Sequence, residues 1–160
     1  MPAALQHAID EQYCEPFLYH DPNRPGYVSL LTQVSGKKSQ NTVWLGKLGD
    51  ALSSVNIAND TWVSQAEFHK PNRRAVNVWR IQLAFSDLDT YNIEQLRDLS
   101  PEHLAGNLLI WCADNGIPEP SLVVFSGRGL QVKWLFEKPI PAQALPRWQA
   151  VQEQRAHGHA

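Results

Sequence analysis

An α+β fold, a mainly antiparallel sheet covered by helices, is predicted by three observations. Extended runs recur at Tyr27–Val34, 75–85 and 130–136, the last two with alternating apolar residues. Between them lie segments whose apolar residues are three to four apart. A glycine-rich turn, Gly127 to Gly129, joins an extended run over 121–126 to the one over 130–136 as a hairpin. Strand, helix, strand, acidic turn, helix and hairpin make a sheet layered with helices.

Taken in order, residues 1–26 carry Pro16, Pro22, Pro25 and Gly26, which interrupt any long element. Tyr27–Val34 reads as a strand that ends at Gly36. Ser39 is a candidate cap for a helix bearing Trp44, Leu48, Leu52 and Val55, a pattern weakened by Gly46 and Gly49. Pro71-Asn72-Arg73-Arg74 turns the chain into a strand over 75–85, on which Trp79, Ile81, Leu83 and Phe85 share a face. Continued unchanged, that alternation would carry Asp87 and Asp89 onto the apolar side. Burying two unpaired carboxylates is prohibitive, so the strand is expected to bulge, twist out or end near Ser86.

Ser100-Pro101-Glu102-His103 starts a helix with a serine cap and proline at the first position. Leu104, Leu108, Trp111 and Cys112 form its stripe, and Asn115-Gly116 closes it. Strands are expected over 121–126 and 130–136, with Gly127 to Gly129 as the turn and Pro139 and Pro141 as the stop. Pro146 opens a last helix over 147–155, followed by a frayed tail, His157-Gly158-His159-Ala160.

The 160 residues contain no internal repeat and read as a single domain, 1–160, long enough for a real core. Hydrophobic residues make up 43% and charged residues 19%, as in an ordered protein rather than a disordered one. A formal charge of -2 gives no global attraction to nucleic acid and leaves only local basic patches for that role. Cys14 and Cys112 stand in unrelated contexts and read as free thiols in a reducing cytoplasm. A leader and a membrane span are both absent from the sequence, so a cytoplasmic protein with no membrane partner is expected. His7, His20, His103, His157 and His159 lack metal-ligand spacing with the cysteines.

Asp87 and Asp89 are the strongest functional signal. In extended chain, residues two apart point the same way, so both carboxylates can converge on a divalent cation. A solvated acidic turn has the same sequence. Hard oxygen ligands without a Cys/His cluster favour Mg2+ or Mn2+. Glu137 is the candidate third acid by order along the chain. In Ser126-Gly127-Arg128-Gly129-Leu130-Gln131-Val132-Lys133, the two glycines allow a tight turn and close approach of backbone to phosphate. Arg128 can fork onto a phosphate, and Gln131 and Lys133 project to one polar face. An ordinary hairpin with a wet face is the alternative. A Walker A loop is absent. Residues 68–74 concentrate His69, Lys70, Arg73 and Arg74 against no acid, a candidate DNA-backbone contact or a solvated turn. Trp62 and Phe68 are candidate stacking platforms, with core packing the better reading for Trp62.

Phe85-Ser86-Asp87-Leu88-Asp89-Thr90-Tyr91 together with Ser126-Gly127-Arg128-Gly129-Leu130-Gln131-Val132-Lys133-Trp134 resembles the archaeo-eukaryotic primase superfamily. The likeness is to primase-like domains of plasmid and mobile-element replication proteins and covers roughly residues 60–150. It implies an RRM-like catalytic core and a DNA primase or primase-polymerase that joins nucleoside triphosphates on a single-stranded DNA template. A replicative helicase is an implied partner. Asp87 and Asp89 would be the catalytic metal ligands, and Ser126, Arg128 and Lys133 would line the nucleotide phosphates. The family usually has histidine where Gln131 stands, and glutamine donates a hydrogen bond without charge. The family's third acid usually follows the second motif, but no Asp follows Asp114. Either Glu137 substitutes, or the chain is the N-terminal fragment of a longer replication protein, which is the expectation carried forward. A non-catalytic DNA-binding module of a replication initiator is the rival.

Overall fold

The computed structural model describes residues 15–56 and 58–157, so His7, Cys14 and the tail 158–160 lie outside the described residues. It shows the expected α+β architecture, an antiparallel sheet with helices. The described residues cluster into two compact units: the first takes those up to 82 together with 138–143, the second 83–137 together with 144–157.

In the first unit, β1 (Tyr27–Val34) and β2 (Lys37–Trp44) form a hairpin paired from Tyr27 with Trp44 to Val34 with Lys37. The helix expected from Ser39 is therefore corrected. Residue-for-residue pairing with β1 outweighs a local spacing that only Trp44 supported across 39–46. What remains helical is α1 (Leu48–Ser53), after a 3-10 turn at Leu45–Lys47. β3 (Asp60–Val63) and β4 (Ala66–Phe68) both pair antiparallel with β1. β4 pairs in turn with the start of β5 (Val78–Leu88). Val28, Leu30, Leu45, Leu48 and Leu52 form the core. Each such side chain contributes roughly 1.5–3 kcal/mol on full burial.

In the second unit, β5 neighbours β7 (Leu130–Pro141), which pairs antiparallel with β6 (Leu122–Phe125). β7 runs through Pro139 and stops at Pro141, the second of the two prolines expected to end it. Proline's fixed φ suits extended chain and costs it only a donor. α2 (Pro101–Asp114) begins as expected, with Ser100 Oγ accepting from the His103 backbone N–H at 3.3 Å. Its Leu104, Leu108 and Cys112 pack on Ala84, Leu130, Val132 and Trp134. Cys112 is buried and, among the described residues, forms no disulfide. α3 (Leu145–His157) begins one residue before Pro146. Trp148 Nε1 donates to Leu83 O at 2.8 Å, and Gln152 closes both sides of Phe85, donating to its carbonyl at 2.7 Å and accepting from its N–H at 3.2 Å. Side chains of α3 thus take up backbone groups of β5 at Leu83 and Phe85. No helix among the described residues is long and apolar enough to cross a membrane.

Candidate functional site

The parity problem at Asp87 resolves without a bulge or a stop near Ser86. β5 continues to Leu88, and its pairing with β4 shifts register between Glu67 and Phe68, near the strand's beginning. Ala84 and Leu88 pack against the α2 core, so the odd-numbered row points to the other face of the sheet. Along that row burial falls from Leu83, fully buried, through Phe85, half-buried, to Asp87, exposed. The gradient leaves the Asp87 carboxylate in water although it continues an apolar row. Asp87 makes no side-chain hydrogen bond among the described residues, and Asp89 accepts from Asn92 Nδ2 at 2.6 Å.

β7 shows the same two-sidedness. Leu130, Val132, Trp134 and Phe136 face α2, which puts Gln131 and Lys133 on the Asp87 face. Their face is the expected one, but it is not wet. Gln131 is half-buried and Lys133 is 3% exposed.

The turn that joins β6 to β7 reaches the end of β5. Ser126 closes it, its N–H and Oγ both meeting Gly129 O, at 2.9 and 3.2 Å. Gly127 has φ +87 with open space around it, and Arg128 is exposed. Gly129 is buried, and a Cβ built there would overlap the Leu88 carbonyl and crowd the Asp89 Cα. Arg128 O accepts from the Tyr91 N–H at 3.0 Å. Two motifs distant in sequence are thereby held backbone to backbone, with Asp87, Asp89, Ser126 and Arg128 at one end of the second unit.

Glu137 is not brought to this end. β7 leaves the turn beside Leu88 and runs continuously, so Glu137 lies about 25 Å farther along at roughly 3.3 Å per residue. Among the described residues, no group of three or more His, Cys, Asp or Glu side chains gathers as a metal cluster. Two exposed carboxylates still fit Mg2+ or Mn2+, since Mg2+ is commonly held by one or two carboxylates with waters and substrate phosphates supplying the rest. Sequence reasoning missed Asn92, which fixes Asp89, and Arg97, whose Nε donates to Tyr91 O at 3.2 Å while its guanidinium lies 5.8 Å from the Tyr91 ring. The Asp-x-x-Asn spacing of a short turn was the available signal for Asn92.

The first unit holds the predicted DNA contacts. Lys70, Arg73 and Arg74 are exposed, and Arg73 Nη1 donates to Gln40 Oε1 at 3.3 Å. Phe68 is buried and offers no stacking surface, whereas Trp62 is 41% exposed, against the core packing expected for it. The same unit buries a polar cluster that the sequence did not announce. Glu67, 3% exposed, meets His20 Nδ1 at 3.2 Å and Arg24 Nη2 at 3.1 Å through Oε1, and Arg80 Nε through Oε2. Burial alone would raise its pKa. Hydrogen bonds from His20 and Arg80 and their charge outweigh burial and hold the carboxyl below the ordinary glutamate range.

No protein-family model matches the chain, and no solved structure matches it. A curated relative, "Replication protein" of Clostridium perfringens, is 35% identical over 102 residues. The match covers 64% of this chain and 23% of that protein, so it concerns about a quarter of the relative's length.

Proposed function

We propose that this chain serves DNA replication, and that its second unit carries the acidic and phosphate-facing parts of a metal-dependent nucleotidyl-transfer site of the primase or primase-polymerase kind, on an RRM-like core. The likeness to the Clostridium perfringens "Replication protein" supports the replication role. One observation carries the finer reading: Gly129 is seated on the Leu88–Asp89 backbone, which joins the acidic pair to the Ser126–Gly129 turn.

Asp87 and Asp89 supply two hard oxygen ligands, with Asn92 fixing the direction of the second. Mg2+ or Mn2+ bound there would lower the pKa of the attacking hydroxyl and neutralise the α-phosphate. Arg128, exposed on the turn, forks onto the outer phosphates as pyrophosphate leaves, and Gly127 leaves room for their approach. Gln131, half-buried on the Asp87 face, would donate a hydrogen bond to a phosphate, and buried Lys133 would add positive charge behind it. The template is single-stranded DNA and the substrates are nucleoside triphosphates.

Primer synthesis on single-stranded DNA with Mn2+ or Mg2+ tests the reading. Asp87→Ala with Asp89→Ala should largely abolish incorporation while the melting curve is retained. Equal incorporation by wild type and double variant would sink it.

The distance of Glu137 from the pair favours a second reading, a DNA-binding module of a replication initiator without catalysis. It predicts salt-sensitive DNA binding that needs Arg73 and Arg74 and survives chelation of metal. Metal-dependent incorporation removes it.

A further inference from the structure

The register of the first unit assembles a surface that no single segment reveals. β1 sets Leu31 between Gln40 of β2 and Trp62 of β3, and Gln33 between Lys38 and Asp60. Val28, Leu30, Val43 and Val63 pack with α1, so by alternation these partners occupy the opposite face of the sheet. Lys38, Gln40 and Trp62 are exposed there. Lys38 Nζ lies 5.9 Å from the Trp62 ring centroid. The Arg73 bond to Gln40 fastens the basic 70–74 segment to the same side.

We propose that this face binds a single-stranded nucleic acid, with one base stacked on Trp62 and the flanking phosphates held by Lys38 and Arg73. An indole left 41% exposed on a sheet loses apolar burial, which a stacked base restores without regard to sequence. The charge around it is complementary to a polyanion. Lys38, Lys70, Arg73 and Arg74 are exposed cations, and Asp60 is the acid facing this row across β1. A second copy of the chain would bring the same cations against themselves. Duplex DNA offers no free base to the ring. The inference deepens the nucleic-acid reading above, but it stands on the first unit and needs neither Asp87 nor Asp89.

Fluorescence anisotropy of labelled oligo-dT and oligo-rU, with the full chain and EDTA present, tests it. Wild type should bind both within a few-fold of each other and quench tryptophan emission. Trp62→Ala should weaken binding about tenfold and Trp62→Phe much less. Lys38→Ala with Arg73→Ala should lower the slope of log affinity against log salt by about 1.4, at roughly 0.7 per phosphate contact. Asp87→Ala with Asp89→Ala should bind as wild type, which separates this surface from the acidic site. Undiminished binding by both the Trp62→Ala and the double cation variant overturns the inference. So does preference for a duplex of equal length, or wild-type self-association in sedimentation that Trp62→Ala abolishes.

Discussion

Gly129 rests directly on the Leu88 carbonyl, close enough that no β-carbon fits between them. The turn from β6 to β7 and the acidic end of β5 are therefore one backbone junction, which makes residue 129 a sharper probe than residue 127. Gly129→Ala forces Cβ into backbone that cannot rotate away, an overpacking cost of about 1–3 kcal/mol or more. Gly127→Ala meets empty space and pays only for φ +87, about 1–2 kcal/mol. Urea midpoints should fall further for Gly129→Ala, and in that variant the Asp89 and Arg128 amide resonances should both shift. Equal destabilisation by the two would contradict the junction.

Glu67 makes the first unit acid-sensitive. Its folded pKa lies below the ordinary value of about 4.3, so the folded state binds fewer protons there than the unfolded chain. The stabilisation is complete above that ordinary value and is lost as pH falls through the folded-state pKa. Glu67→Gln leaves Arg24, Arg80 and His20 facing a neutral amide, at a cost of about 3–5 kcal/mol near neutral pH. The variant should also show a flatter fall in stability between about pH 5 and pH 3. Urea melts across that range measure both effects, and parallel curves for variant and wild type would refute the assignment.

The sequence made local elements legible wherever one signal dominated. Tyr27–Val34 and the Ser100 cap stand where expected because an apolar run bounded by Gly26 and Gly36 and a capping serine act within a few residues. The Lys37–Trp44 strand was hidden, since its stability comes from β1 and not from its own polar composition. The same holds at the site. Two motifs could be named separately, but their contact depends on Gly129 lacking a side chain where β5 ends. Glu137 looked near in chain order and is far in space, because a continuous strand carries it away. The buried Glu67 cluster draws on residues 20, 24, 67 and 80, a separation no periodicity reports.

Gln152 stands in for a missing strand at Phe85. Gln152→Ala removes a donor and an acceptor that together satisfy both backbone groups of that residue. A loss of about 1–3 kcal/mol is expected, near the cost of unmade buried hydrogen bonds. Hydrogen exchange at the Phe85 amide should speed up while that of the α2 core amides changes only with global stability. An unchanged Phe85 rate would show that water replaces the glutamine without cost.

Asn92 sets the direction of one carboxylate. Its Nδ2 donates to Asp89 Oδ2 at 2.6 Å, so one oxygen is engaged and the other is left to accept a cation. Under the proposed function, Asn92→Ala frees that carboxylate to rotate and removes an outer partner of the metal ligand. Such losses weaken metal affinity by about 10–100-fold. The side chain is exposed, so stability should stay within about 0.5 kcal/mol of wild type. Mn2+ titration in the presence of a nucleoside triphosphate, read by calorimetry, separates the two effects. Weakened Mn2+ binding with an unchanged melt supports Asp89 as an oriented ligand. Unchanged Mn2+ binding would leave the Asn92 contact as turn closure alone, and Asp89 would lose its assigned role.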